Sequence, residues 1–262
     1  MTALRLYSGT GGPAGSLAGA TLVCCPHAGG AASFFAPWRA SLGVGARLLA
    51  AKYPGREDRL AEAPASSLSA LADEVAAGVH IAAGGHRPLV LLGHSMGALV
   101  AFETARLLLA SPPTGAPPAV PDLLVVSAAP PRRQSVFLTA RSGDPDGRER
   151  LAAQVLLLDP SFKEVMQCPE LLEYALQAVS GDLDLLAAHN LDRRPLDGVP
   201  ILALAAQDDP STTPAELDAW EAQTTGPFWR RDFAGDHFYL RDSGPVLAAI
   251  AEALAAAALE RR

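Results

Sequence analysis

The sequence predicts an α/β fold, a mainly parallel sheet flanked by helices, and three observations predict it. Short apolar runs alternate with longer stretches of helical periodicity, which is the order of strands and crossover helices in a parallel sheet. Several of the runs are apolar at every position, as strands buried on both faces are. A G-x-S-x-G turn stands between one such strand and one such helix.

Taken in order, residues 4–7 form a short edge strand, and strands follow at 20–25, 47–53, 88–93, 122–127, 199–205 and 228–233. Helices are expected at 34–42, 68–82, 96–110, 214–224 and 245–259. The proline-rich stretch 111–121 (SPPTGAPPAVP) can only be a loop. Residues 130–194 contain no strand-like run. They carry helical patterns at 148–158, 169–179 and 181–189, with breakers such as Gly143 to Gly147 between them. Such an insertion is expected to be a helical lid on a single domain spanning 1–262, rather than a second core. It leaves the sheet at the carboxyl end of a strand, the edge where α/β proteins bind ligands. There is no internal repeat.

Bulk properties narrow the function. Of 262 residues, 49% are hydrophobic and 19% charged, which excludes intrinsic disorder. A net charge of -7 argues against general attraction to nucleic acid or anionic membranes. Three cysteines are too few for a disulfide framework and lack zinc-ligand spacing. No signal pattern opens the chain, and the alanine-rich stretch 246–259, interrupted by Glu252, is shorter than the roughly 20 apolar residues of a bilayer span. A soluble, cytoplasmic protein is expected.

Gly93-His94-Ser95-Met96-Gly97 fits the nucleophile elbow, and its strand–turn–helix setting is the one that motif requires. The tight turn strains the serine backbone and brings neighbouring chain close, so side chains at 93 and 97 would clash. The helix N-terminus beneath Ser95 favours developing negative charge. In this architecture the acid and then the base follow the serine. Of six histidines only His189 and His237 follow it. His237, in Gly235-Asp236-His237-Phe238 after the last strand, is the expected base; His189 lies in the insertion without an acidic strand end before it. The acid belongs just past strand 199–205, where Asp209 is the first choice and Asp208 the alternative, read as a turn-capping residue. An oxyanion hole needs two convergent backbone donors. Met96, after the nucleophile, supplies one, and Ala28 in the glycine-rich turn Pro26-His27-Ala28-Gly29-Gly30 supplies the other.

Other patterns carry less. Gly9-Thr10-Gly11-Gly12-Pro13-Ala14 imitates a dinucleotide turn, but Pro13 prevents the helix and position 30 is glycine instead of an acid. The histidines show no metal-ligand spacing. Cys24 and Cys25 read as small core residues. The pairs Arg132-Arg133, Arg193-Arg194 and Arg230-Arg231 read as solvated surface, with docking of an acidic partner as the alternative.

With these residues in view, the sequence resembles the type II thioesterases of polyketide and nonribosomal peptide assembly lines. The resemblance rests on PHAGG at 26–30, YPGREDRL at 53–60, GHSMGA at 93–98 and GDHF at 235–238. It implies an α/β-hydrolase fold with a helical lid. It implies hydrolysis of acyl groups from the phosphopantetheine arm of acyl or peptidyl carrier proteins, clearing stalled or aberrant units. It also puts the triad on Ser95, Asp209 and His237 and the oxyanion hole on Ala28 and Met96. No metal or bound cofactor is implied, and the chain is taken to act as a monomer. A chain-releasing thioesterase or acyltransferase and a generic serine esterase are the alternatives; a non-catalytic carrier-binding protein is a more distant one. The lid leucines Leu156, Leu157, Leu171, Leu172, Leu185 and Leu186 are expected to pack on the core and to line an acyl pocket.

Overall fold

The computed structural model describes residues 3–10, 17–83, 87–110, 119–131, 146–190 and 194–260. Seven strands form one sheet: β1 (Leu4–Ser8), β2 (Thr21–Cys25), β3 (Arg47–Ala51), β4 (Leu89–His94), β5 (Leu123–Ser127), β6 (Ile201–Ala206) and β7 (Phe228–Phe233). Their spatial order is β1-β3-β2-β4-β5-β6-β7. Only β1 runs antiparallel, against β3, and every other pairing is parallel. The α/β-hydrolase architecture implied by the resemblance is therefore present.

All residues of β2, β4, β5 and β6 are buried, which is why those runs lack polar alternation. Alternate side chains feed two cores. Val23, Cys25, Leu91, Val126 and Ala203 face one, together with α1 (Leu68–Ala83) and α2 (Met96–Ala110). Leu22, Cys24, Leu92, Val125 and Leu204 face the other, covered by Phe35, Trp38 and α6 (Ser243–Glu260). By length and composition α6 passes as a membrane span, beyond what the sequence suggested. Its Val246, Leu247, Ile250 and Ala253 are instead spent on the second core.

Between β5 and β6 lie α3 (Gly147–Leu158) and α4 (Pro169–Ala188). They enclose a small core of Leu151, Ala152, Phe162, Leu176, Val179 and Leu183. A helix of one turn, α5 (Pro214–Leu217), follows β6.

Several expectations need correction. The helix foreseen at 34–42 is a 3-10 segment at Ala32–Ala40, where Pro37 removes an amide donor. The one foreseen at 214–224 divides into α5 and a 3-10 segment at Asp218–Gln223. The two helices foreseen at 169–179 and 181–189 are one, α4; Gly181 continues it at the modest cost of an interior glycine. Leu157 and Leu171 are exposed, so only part of the leucine-rich face packs inward. Residues 11–16, 111–118, 132–145 and 191–193 lie outside the described residues, and with them most of the GTGGPA and proline-rich stretches, the breakers at 143–145, Arg132-Arg133 and Arg193.

Candidate active site

Ser95 occupies the sharp bend between β4 and α2 with φ of +55°, a strained value for a side-chain-bearing residue. Its amide donates to the Ser127 carbonyl at 2.8 Å, tying the bend to the end of β5. The glycines on either side are required by backbone crowding. A Cβ on Gly93 would lie 1.9 Å from the Gly97 carbonyl oxygen, and one on Gly97 would lie 2.0 Å from that of Cys25.

The loop after β7 brings His237 to the same edge, where its ring centroid is 4.8 Å from that of His94, the neighbour of Ser95. His237 Nδ1 is 2.7 Å from Asp209 Oδ2, and both side chains are almost wholly buried. The other carboxylate oxygen of Asp209 accepts from the Ser211 amide at 2.8 Å and its hydroxyl at 2.6 Å. Asp208 is exposed, its amide donating to the Gly235 carbonyl. Geometry thus separates two adjacent aspartates that the sequence left as alternatives. Asp236 caps its own loop by accepting from the Phe238 amide. His189, just past α4, sits 3.2 Å from Glu103 of α2 and so pairs with a different carboxylate from the one that holds His237.

Gly30 N–H donates to the His27 carbonyl at 2.9 Å, and Gly29 has φ of +74° while Ala28 does not take a positive value. That is a type II turn with glycine where the turn demands it. Among the described residues no hydrogen bond consumes the Ala28 or Met96 amide. Both donors remain available.

Around His237 lie groups the sequence did not single out. His94 Nδ1 is 3.0 Å from Ser127 Oγ, which is 2.7 Å from the Tyr239 hydroxyl. Burial foremost, then the neighbouring His237 and His27, hold the His94 imidazole well below its ordinary range. Burial likewise takes His27 down to about 3, with its ring edge-on to Phe34 and Phe238. Both rings stay neutral beside His237. Burial pushes the Cys25 thiol up to about 12, which fits the reading of an inert core residue. Arg230 pairs with Asp218 and Asp232, and Arg231 reaches Glu252, so intramolecular partners occupy this arginine pair.

A cavity of about 270 Å³ lies between α4 and the segment from Pro54 to Ala65, with Leu60, Leu71 and Leu185 among its apolar walls. Neither Ser95 nor His237 lines it.

Comparison with known proteins adds a family to this geometry. The thioesterase domain model matches residues 20–257. A probable cadicidin biosynthesis thioesterase of Streptomyces griseus is 38% identical over 223 residues, 84% of this chain. The chain spans only 58% of that relative's length. Thioesterase PikA5 of Streptomyces venezuelae is 36% identical over 84% of this chain and 75% of its own. Among solved structures, the type II thioesterase BorB from the borrelidin cluster is 36% identical, with a TM-score of 0.75 over 95% of this chain and 97% of its own. YbtT, a type II thioesterase of the yersiniabactin pathway, is 27% identical, with a TM-score of 0.79 over 96% of this chain and 98% of its own.

Proposed function

Because the chain belongs to the thioesterase domain family, we propose that it is a type II thioesterase. In this reading it hydrolyses acyl groups from the phosphopantetheine arm of carrier proteins in polyketide or nonribosomal peptide assembly. The observation that carries the reading is the buried Asp209–His237 pair, 2.7 Å apart, beside the strained Ser95 elbow. The names of the relatives and structural neighbours supply the pathway class.

Asp209 holds His237 with Nδ1–H toward the carboxylate, which leaves Nε2 as the base. His237 takes the Ser95 hydroxyl proton as Oγ attacks the thioester carbonyl. The Ala28 and Met96 amides receive the oxyanion, and the positive end of α2 beneath adds to them. Collapse expels the pantetheine sulfur, which takes the proton from His237. Water, deprotonated by the same imidazole, then attacks the acyl-serine and releases the free acid. The chemistry needs no metal and no bound cofactor. The helical layer of residues 146–190 serves as a lid over this edge, the carrier protein is the partner, and the enzyme works as a cytoplasmic monomer.

The test is intact-protein mass spectrometry of a panel of acyl-carrier proteins before and after addition of enzyme. Loss of the acyl mass with return of free holo-carrier is expected. Transfer of the acyl group to an added alcohol or amine would make the protein an acyltransferase. Preference for small oxygen esters over every carrier-bound thioester would make it a generic esterase.

A further inference from the structure

We infer that Asp182, on the lid helix, is a positioning residue for the oxyanion hole: by accepting the Gly29 amide it locks the turn that presents the Ala28 N–H. The inference rests on the proposed role of Ala28. Its observations are the contacts of one carboxylate oxygen. Asp182 Oδ2 lies 2.7 Å from the Gly29 nitrogen and 2.6 Å from Arg56 Nη2. Carboxylate and guanidinium are both buried, at 6% and 8% side-chain exposure. Three segments remote in sequence therefore meet at one atom: the PHAGG turn, the YPGRE segment and α4.

The turn explains what this contact does. A trans peptide directs its carbonyl and its N–H to opposite sides. The His27 carbonyl accepts from Gly30 within the turn, so the Ala28 N–H of the same peptide points outward. The next peptide, Ala28–Gly29, is the central one of the type II turn, the unit whose flip converts it to another turn type. Asp182 holds the N–H of that central peptide. Val179, one turn earlier on α4, presses on the same place: its Cγ2 lies 2.4 Å from where a Gly29 Cβ would stand. Ala28 itself packs against the small core of the helical layer. The other side of the network is braced as well. Arg56 stands over the Tyr53 ring at 5.5 Å, and the Tyr53 hydroxyl donates to the Pro26 carbonyl at 3.2 Å.

Stability alone gives little reason for such a pair. Buried ion pairs are often replaced by apolar residues of similar volume without loss of stability. What an apolar replacement forfeits here is the bond to Gly29, and with it the fixed direction of an oxyanion donor. Seating of α4 and completion of the hole are thereby one event.

The experiment compares Arg56→Met/Asp182→Leu with Asp182→Asn, using an acyl-carrier thioester as substrate. It also measures binding of two pantetheine analogues with the same acyl chain, a trifluoromethyl ketone and an amide. The double variant should keep a cooperative thermal transition and a KM within about twofold, while kcat falls about 10- to 100-fold, less than outright loss of an oxyanion donor. Trifluoromethyl ketone binding, which forms an oxyanion, should weaken by the same factor, with amide binding little changed. Asp182→Asn keeps a carbonyl oxygen for Gly29 and should retain most of kcat. Full kcat in the double variant, equal weakening of both analogues, or Asp182→Asn as slow as the double variant would overturn the inference. So would failure of both variants to fold, which would make the pair a structural clamp. A wild-type enzyme that neither hydrolyses the thioester nor takes a fluorophosphonate on Ser95 would overturn the proposed function instead.

Discussion

The sheet edge that carries Ser95 and the helical layer of residues 146–190 that faces it are held together by different physics. The edge belongs to strands buried on both faces, and Gly93 and Gly97 let backbones approach until no Cβ would fit. The helical layer has a core of six buried side chains and leaves Leu157 and Leu171 in solvent. Polar contacts tie it down: Asp182 to Arg56 and Gly29, His189 to Glu103, and Asp159 to Arg241. Segments with few buried apolar contacts open at lower free energy than the core. The proposed reacting groups thus sit where backbones are closely packed, facing a layer held by a smaller core and by polar contacts.

The comparison can be broken or sharpened by experiment. The largest effect is expected on the rigid side, from Ser95→Ala, which should lower kcat by a factor on the order of 10⁶ and leave the circular dichroism spectrum unchanged. A fluorophosphonate probe should label the wild type at Ser95 and fail on the variant. Next, Asp209→Asn should cost on the order of 10⁴ in kcat, as neutralising a triad carboxylate does, while Asp208→Asn changes it little. The reverse ranking in steady-state assays would assign the His237 partner to the exposed neighbour.

Stability separates the two regions further. Gly97→Ala forces a Cβ to 2.0 Å from the Cys25 carbonyl oxygen and should cost more than about 4 kcal/mol in denaturant unfolding, where it folds at all. A smaller effect should come from acid. The folded protein holds His94 well below its ordinary range, whereas the unfolded chain protonates it near pH 6.5. Below that pH the unfolded state binds a proton the native state refuses, so stability falls with falling pH by up to about 1.4 kcal/mol per unit. His94→Asn should flatten the acid limb of a plot of stability against pH by one proton; an unchanged slope would contradict the assignment. Smallest is Gly181→Ala on the helical side, where a Cβ meets nothing within 4 Å. It should stabilise by about 0.5–1 kcal/mol, read as a rise in the unfolding midpoint.

Sequence patterns and tertiary structure contributed different things. Strand positions are legible where burial on both faces leaves a run of Val, Leu, Ile, Ala and Cys with little polar alternation, as in β5 and β6; the half-buried β7 at 228–233 and α2 at 96–110 also match their expected bounds to the residue. Ser95 was legible because a bend this tight tolerates only glycine at Gly93 and Gly97, and His237 because only one histidine follows the last strand in a glycine-bearing loop. Helix type was less legible. Apolar spacing reads alike in α and 3-10 segments, so the pattern over 34–42 reads as an α-helix where the chain forms a 3-10 segment at Ala32–Ala40, and the patterns at 169–179 and 181–189 read as two helices where α4 is continuous. The sequence by itself determined the order of the elements, the serine and the histidine, because each is imposed by local geometry that few residues satisfy. Only the tertiary structure set Asp209, and not Asp208, against His237 and brought Asp182 to Gly29 across 153 positions. A one-residue difference in loop direction and a contact between distant segments leave no periodicity for a sequence to carry.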